Sequence, residues 1–149
     1  MAAGPAGFVV DASVAAAWLL PDEATAYTEA ALAATVTTEV WVPSLWLLEI
    51  GNLMLSAQRR RRIDAAKRIT LVAAAAAVRL RIDREPAGLV ELDALAARYQ
   101  LSAYDAVYLE LAQRRKLPLA TLDSALLAAM QASAVPLAQP PTIDSTDAP

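Results

Sequence analysis

The chain of 149 residues is 57% hydrophobic, which is enough for one buried core, and its formal net charge of −3 does not by itself favour a nucleic-acid partner. It contains no cysteine, which excludes disulfides, thiolate nucleophiles and cysteine-ligated zinc. It also contains no histidine, which excludes serine–histidine triads and RNA cleavage by a histidine pair, so any chemistry must use carboxylates, hydroxyls, amides and cations.

The first half of the chain predicts two strands and four helices. The apolar run at residues 8–10 is typical of a buried strand, and Ser13 can cap a helix over residues 14–20. Pro21 and Asp22 break that helix. The elements predicted next are a helix over 23–35, a strand over 40–42 that Pro43 stops, and helices over 44 to about 61 and over 64–77.

The second half continues the alternation of strands and helices. Alternating apolar and polar residues at 78–82 predict an edge or half-covered strand. Pro86 fits the first turn of a helix that runs to about residue 99, and Ser102 can cap the next helix, which ends near residue 116. A strand over 118–121, a helix over 123–133 and a possible fifth strand over 135–137 follow. This order predicts a three-layer α/β/α fold with a mainly parallel sheet of four or five strands.

One domain over residues 8–138 accounts for this pattern. We expect residues 1–7 to be a disordered leader and residues 139–149, rich in Pro, Thr, Ser and Asp, to be a disordered tail. The longest strongly apolar stretch, residues 69–78, is far shorter than the roughly 20 residues that span a bilayer. No Lys or Arg precedes Arg59, so the start of the chain lacks the basic flank of a secretory signal. We therefore expect a cytoplasmic protein without membrane association.

The charges are unevenly distributed along the chain. Residues 1–58 carry six acidic side chains and no Lys or Arg, whereas residues 59–84 carry nine of the 13 basic residues. Such asymmetry suits a protein that holds a cation at one place and a polyanion beside it, although a basic run is often only a solvated helix end. The side chains predicted to bind RNA or a protein partner are Arg59, Arg60, Arg61, Arg62, Lys67 and Arg68.

Two aspartates lie at the carboxyl ends of predicted strands. Asp11 follows the strand at residues 8–10, and Asp123 follows the strand at residues 118–121. Ligands of open α/β sheets bind beyond the carboxyl ends of the strands, where these two acids are expected to lie. Each taken alone is more often a turn or helix-cap aspartate. Their joint placement makes a shared site the stronger interpretation.

Two further acids lie on predicted helices. Glu49 lies in an apolar helical segment, with Asn52 one turn away, and a carboxylate beside a buried stripe is costly unless it is paired, for example with a metal. The alternative is one exposed position on a mostly buried helix. Asp105 lies three residues after Ser102, which also fits a capping box. Capping and metal binding are compatible at this position.

Oxygen donors without histidine or cysteine suit a hard cation, Mg²⁺ or Mn²⁺. Such ions activate water and neutralise the charge of a phosphate group. If the four carboxylates converge, hydrolysis of a phosphodiester bond is the reaction class that their chemistry indicates.

Four segments resemble the motifs of the PIN-domain family, and specifically of its bacterial toxin branch, often called VapC. In chain order they are Val9-Val10-Asp11-Ala12-Ser13, Leu48-Glu49-Ile50-Gly51-Asn52, Ser102-Ala103-Tyr104-Asp105-Ala106-Val107-Tyr108 and Ala120-Thr121-Leu122-Asp123. Each motif is short and built from common residues, but four in the order and approximate spacing of the family are far more specific. The resemblance covers residues 8–137.

The resemblance implies an acidic metal site and a role in RNA cleavage. The implied catalytic and metal-binding residues are Asp11, Glu49, Asp105 and Asp123, and the implied supporting polar groups are Ser13, Asn52 and Thr121. The implied activity is that of a Mg²⁺- or Mn²⁺-dependent endoribonuclease, the toxin of a toxin–antitoxin pair. Such toxins commonly form homodimers, act on RNA and are silenced by a small cognate antitoxin protein.

Other functions fit the sequence less well. A phosphotransferase of the haloacid-dehalogenase type needs a second acid two residues after the strand-end aspartate, where this chain has Ser13. A dinucleotide-binding enzyme needs Gly-x-Gly-x-x-Gly after the first strand, which is absent. A response-regulator receiver needs an acidic pair there and a lysine after a late strand, which are also missing. The remaining alternative is a catalytically silent PIN-like module that binds RNA or a protein partner.

Overall fold

The computed structural model of the protein describes residues 7–141, and its strands and helices follow one another in the predicted order. The strands are β1 (Gly7–Val10), β2 (Glu39–Pro43), β3 (Arg81–Asp83) and β4 (Leu119–Ala120). The α-helices are α1 (Ala12–Leu19), α2 (Ala26–Ala34), α3 (Leu45–Arg59), α4 (Ala65–Ala77), α5 (Leu89–Tyr99), α6 (Ala103–Arg115) and α7 (Ser124–Ser133). A short 3-10 helix lies between α1 and α2 at Pro21–Glu23. Most of the predicted leader and tail, residues 1–6 and 142–149, lies outside the described residues.

The four strands form one all-parallel sheet in the order β3-β2-β1-β4. Strand β1 lies in the interior of the sheet and is buried at every residue, as expected for a strand covered by helices on both faces. Because the strands are parallel, their carboxyl ends meet at one edge, where Asp11, Asp83 and Thr121 lie. The predicted three-layer α/β/α fold with a parallel sheet is therefore confirmed.

The first strand begins at Gly7, one residue before its predicted start. A Cβ atom at this position would clash with the carbonyl oxygen of Glu39, its neighbour on β2. Glycine is thus required here by the close approach of two backbones. The possible fifth strand is reduced to one isolated parallel bridge between Leu119 and Leu137.

Several predicted helix starts are wrong. Helix α1 is capped by Asp11 and not by Ser13, because the Asp11 carboxylate accepts the backbone N–H of Val14. Helix α2 begins at Ala26 and not at residue 23, since Thr25 forms a capping box with Thr28 that starts a new helix after the 3-10 helix. Pro86 lies outside α5, which begins only after Gly88.

Strand β3 lies closer to the carboxyl end than predicted, at Arg81–Asp83 instead of residues 78–82. It pairs with β2 so that Asp83 lies opposite Pro43, and this register brings the Asp83 carboxylate to two arginines of α6. Alternation within the segment showed a strand but did not show where its pairing begins. Within residues 7–141, every helix is too short or too polar to span a bilayer.

Candidate metal centre

Asp11 leaves β1 at the carboxyl edge of the sheet and is 4% exposed. Its Oδ1 accepts hydrogen bonds from the Ser13 hydroxyl at 2.6 Å and from the Val14 backbone N–H at 3.2 Å, and its Oδ2 accepts one from the Thr121 hydroxyl. Burial raises the pKa of Asp11, although these hydrogen bonds lower it in part. Within the described chain it forms no ion pair, so its negative charge is solvated by hydroxyls and an amide alone.

Two hydroxyls connect Asp11 to the loop after β4. The Ser13 Oγ accepts the backbone N–H of Leu122 at 2.9 Å, and the Thr121 Oγ1 accepts the backbone N–H of Asp123 at 3.0 Å. The Asp123 Oδ1 caps α7 by accepting the N–H of Leu126 at 2.8 Å. Ser13 and Thr121 therefore connect the Asp11 carboxylate to the loop that carries Asp123.

Glu49 lies on α3 and is half-buried. Its Oε1 accepts a hydrogen bond of 2.7 Å from the hydroxyl of Tyr108, a fully buried residue of α6. Burial raises the pKa of Glu49, the Tyr108 hydrogen bond opposes this, and the negative charges of Asp105 and Asp11 raise it further.

Asp105 lies in the first turn of α6. Its backbone N–H donates to the Ser102 Oγ at 3.1 Å, so Ser102 caps α6 as predicted. The reciprocal hydrogen bond of a capping box, from the Ser102 N–H to the Asp105 carboxylate, is absent from the described residues. Burial raises the pKa of Asp105, and the negative charge of Asp123 adds to the shift. A side-chain hydrogen bond with Ser102 opposes this shift in part, and the helix cap itself uses the backbone N–H of Asp105.

The four predicted acids lie within electrostatic reach of one another: Glu49 is influenced by Asp11 and Asp105, and Asp105 by Asp123. Among residues 7–141, however, no three acidic side chains lie close enough to form a set of metal ligands. The donors are all oxygens, which fits a hard divalent cation. The structure brings the acids together as a charge cluster and does not show a coordination shell.

A cavity of about 560 Å³ opens beside this cluster. Glu49 and Asn52 line it, and Arg60 and Arg62 lie on its wall, with apolar surface from Leu48 and Tyr104 among others. Asn52 is exposed and forms no side-chain hydrogen bond within the described chain. The predicted supporting amide is thus in the cavity with Glu49 but does not orient any of the four acids.

The predicted basic residues are only partly available. Arg62 forms ion pairs with Asp22 at 2.9 Å and with Glu23 at 3.5 Å, and the Arg68 Nε donates to the Gln58 Oε1 at 2.6 Å. The others are exposed and form no ion pair within the described chain; they are Arg59, Arg60, Arg61 and Lys67. Arg62 is therefore the member of the run most committed to internal contacts.

A second acidic site, around Asp83, was not expected from the sequence. The Asp83 carboxylate accepts hydrogen bonds from Arg114 at 3.0 and 3.1 Å and from Arg115 at 2.7 Å. Burial alone would raise the pKa of Asp83, but these two guanidinium groups lower it. The Arg115 guanidinium also stacks on the Trp41 ring, 3.6 Å from its centroid. Asp83 thereby fastens β3 to α6.

Tyr108 was also missed, because its position in a largely apolar part of α6 looked like that of an ordinary core aromatic. A buried tyrosine hydroxyl usually needs a hydrogen-bond partner, and that rule was the available signal. It did not identify the partner, which lies 59 residues away in the sequence.

Comparison with known proteins agrees with this architecture. The chain is similar to the crystal structure of PAE2754 from Pyrobaculum aerophilum, with 25% sequence identity, a TM-score of 0.66, and coverage of 86% of this chain and 87% of that one. No curated protein matches it. The family model of the PIN domain matches residues 8–131. The chain therefore belongs to the PIN-domain family, whose members are generally metal-dependent nucleases.

Proposed function

We propose that the chain is a metal-dependent endoribonuclease that hydrolyses RNA phosphodiester bonds, with Asp11, Glu49, Asp105 and Asp123 as its metal-binding and catalytic residues. The observation that carries this proposal is the charge cluster itself. Three of its acids have raised pKa values, and none of the four forms an ion pair within residues 7–141. Membership of the PIN-domain family supports a nuclease-type activity.

Mg²⁺ or Mn²⁺ bound by these carboxylates would activate water and neutralise phosphate charge. The protein would orient the carboxylates of Asp11 and Glu49 through hydrogen bonds. Ser13 and Thr121 hold both oxygens of Asp11, and Tyr108 holds one oxygen of Glu49. These bonds reduce the number of side-chain arrangements that the acids sample, which favours binding of an ion in one arrangement.

The cavity beside the cluster supports RNA as the substrate. It joins Glu49 and Asn52 to Arg60, whose guanidinium forms no ion pair within the described chain. A nucleic-acid backbone in this cavity would lie between the Glu49 carboxylate, which would hold a cation, and the guanidinium group of Arg60. The neighbouring exposed residues Arg59 and Arg61 extend the positive surface.

We further propose that the protein is the VapC-like toxin of a toxin–antitoxin pair, that it acts in the cytoplasm, forms a homodimer, and is silenced by a cognate antitoxin. The four motifs that resemble this branch support the proposal. Exposed apolar side chains on the helices, including Leu48, Leu89 and Val90, offer surface for such protein contacts.

The experiment is cleavage of total RNA by the purified protein in Mn²⁺, in EDTA, and after Asp11→Asn. We expect cleavage in Mn²⁺ that EDTA abolishes, products with 5′-phosphate and 3′-hydroxyl ends, and a loss of roughly 1000-fold or more in the variant. Asp93→Asn, at an exposed position on α5, is the matched control and should retain activity. Robust cleavage in EDTA, or products with 2′,3′-cyclic phosphate ends, would contradict the mechanism.

One observation favours a second function, that of a silent module that binds RNA or a protein. No three acids among residues 7–141 form a ready set of metal ligands. If this module is correct, the protein should bind RNA without cutting it in excess Mn²⁺, and Asp11→Asn should leave RNA binding unchanged.

A further inference from the structure

The hydroxyl of Tyr108 has an unusual place for a core aromatic residue. Tyr108 is 1% exposed, and the single hydrogen bond that its hydroxyl forms within the described chain is the 2.7 Å bond to the Glu49 Oε1. Packing alone would be satisfied by phenylalanine, which brings no polar atom that must be paired. We therefore look for the role of the hydroxyl in its hydrogen bond with Glu49.

The position of Tyr108 on α6 relates it to a second acid. It lies three residues after Asp105, so the two residues share a face of the helix. Helix α6 thus supplies one carboxylate of the cluster and, through Tyr108, the hydrogen bond that restrains another carboxylate on α3. The way α3 packs against α6 therefore helps to set the distance between the carboxylates of Glu49 and Asp105.

The restraint leaves one half of the Glu49 carboxylate available. Its Oε1 is occupied by Tyr108, whereas its Oε2 accepts no hydrogen bond within the described chain. Glu49 is half-buried and lines the 560 Å³ cavity, so a ligand can reach it. Without the phenol, the glutamate side chain would be free to turn toward solvent and away from the other acids.

We propose that Tyr108 is a positioning residue. Its hydrogen bond holds the Glu49 side chain in the arrangement in which the Glu49 carboxylate binds the divalent cation. The inference rests on the proposed metal-dependent nuclease. Tyr108 does not contact the ion or the substrate in this role. It acts through Glu49, and its removal should lower the affinity for the metal as well as the rate of cleavage.

The test is titration of the full-length protein with Mn²⁺, followed by the electron paramagnetic resonance signal of free Mn²⁺. We expect Tyr108→Phe to weaken binding by about 10- to 100-fold, as for other residues that orient a metal ligand. The control is Tyr27→Phe, which removes an uncharged hydroxyl that donates to the Ala138 carbonyl oxygen at 2.9 Å and forms no hydrogen bond with any of the four acids within the described chain. It should bind Mn²⁺ as the wild type does.

A double-mutant cycle separates positioning from a structural role. In the background of Glu49→Gln, Tyr108→Phe should cause no further loss of Mn²⁺ affinity, because the ligand that the phenol holds is already impaired. Replacement of Tyr108 by 4-fluorophenylalanine fills the volume of the hydroxyl without a donor. It keeps the core packed and supplies the same comparison if the phenylalanine variant does not fold.

The outcomes distinguish this inference from the proposed function. If the wild type binds Mn²⁺ and the folded Tyr108 variants bind it equally well, the positioning role is overturned and the metal site stands. The positioning role is also overturned if Tyr108→Phe weakens Mn²⁺ binding as much in the Glu49→Gln background as in the wild type. If the wild type does not bind Mn²⁺, the proposed function and this inference fail together.

Discussion

Asp11 and Asp83 are the same residue type at the same edge of one sheet, and each is 4% exposed. Their surroundings differ. Asp83 receives hydrogen bonds from the guanidinium groups of Arg114 and Arg115, which lower its pKa against the effect of burial. Asp11 receives only hydroxyl and backbone N–H groups, and burial raises its pKa.

The difference shows how one fold uses buried carboxylates in two ways. Around Asp83 the chain supplies its own cations, so the acid joins β3 to α6 and contributes to stability. Around Asp11 the described chain supplies no cation, and the negative charge of Asp11 raises the pKa of Glu49, so the ionised acids oppose folding unless a cation comes from outside. We therefore assign stability to the first region and function to the second.

The largest expected effect concerns Asp83. Asp83→Asn removes the carboxylate that pairs with Arg115 and one of the three carboxylates that pair with Arg114, which keeps Glu85 and Glu110. We expect the free energy of unfolding to fall by about 2–3 kcal/mol, which is at or below the lower end of the roughly 3–5 kcal/mol for a fully broken buried pair, because Arg114 stays paired and both arginine side chains are 30% exposed. In EDTA, Asp11→Asn should lose much less. Urea denaturation of both variants measures this. Equal losses would contradict the division into a structural and a functional acid.

The two regions should also respond oppositely to pH. The pKa of Asp83 is lowered in the folded state, so its contribution is complete above the unfolded value of about 4 and is lost as pH falls through the folded value. The pKa of Asp105 is raised by burial and by Asp123, so its penalty is absent below about 4 and grows as pH rises through the raised value.

Asp105→Asn should therefore stabilise the metal-free protein at neutral pH by up to about 1 kcal/mol, and the gain should vanish near pH 4. Mn²⁺ at about 100 times its Kd should stabilise the wild type by about 2.7 kcal/mol and the variant much less. Melting temperatures in EDTA and in Mn²⁺ at several pH values provide the measurement. A variant that melts lower in EDTA at neutral pH and gains as much from Mn²⁺ as the wild type would remove Asp105 from the site.

The smallest effect concerns the basic run near the charge cluster. If Arg59, Arg60 and Arg61 each contact a phosphate, their replacement by serine should reduce the slope of log K against log salt for single-stranded RNA by roughly 2. Arg79→Ser is the control and should leave the slope nearly unchanged, because Arg79 is exposed but does not line the cavity beside Glu49. Filter binding at several salt concentrations tests this. An unchanged slope in the triple variant would mean that the run is only a solvated helix end.

Much of the fold was predictable because its signals are local. Strand and helix follow from the period of apolar residues over one segment, and Ser102 and Asp64 could be placed at helix starts from their own neighbours. The predicted starts of α1, α2 and α5 are wrong. In each case either two neighbouring side chains could cap the helix or a nearby proline could occupy its first turn. Such choices depend on the path of the chain beyond that segment.

The absence of histidine and cysteine by itself restricted the chemistry to oxygen donors, since composition is independent of conformation. The order of the acid motifs indicated which carboxylates to consider. Only the tertiary structure decided that Asp83 is neutralised and Asp11 is not, and that Tyr108 holds Glu49 from 59 positions away. The physical reason is that hydrogen bonds and ion pairs between distant residues depend on how helices pack against the sheet, which no local pattern of residues specifies.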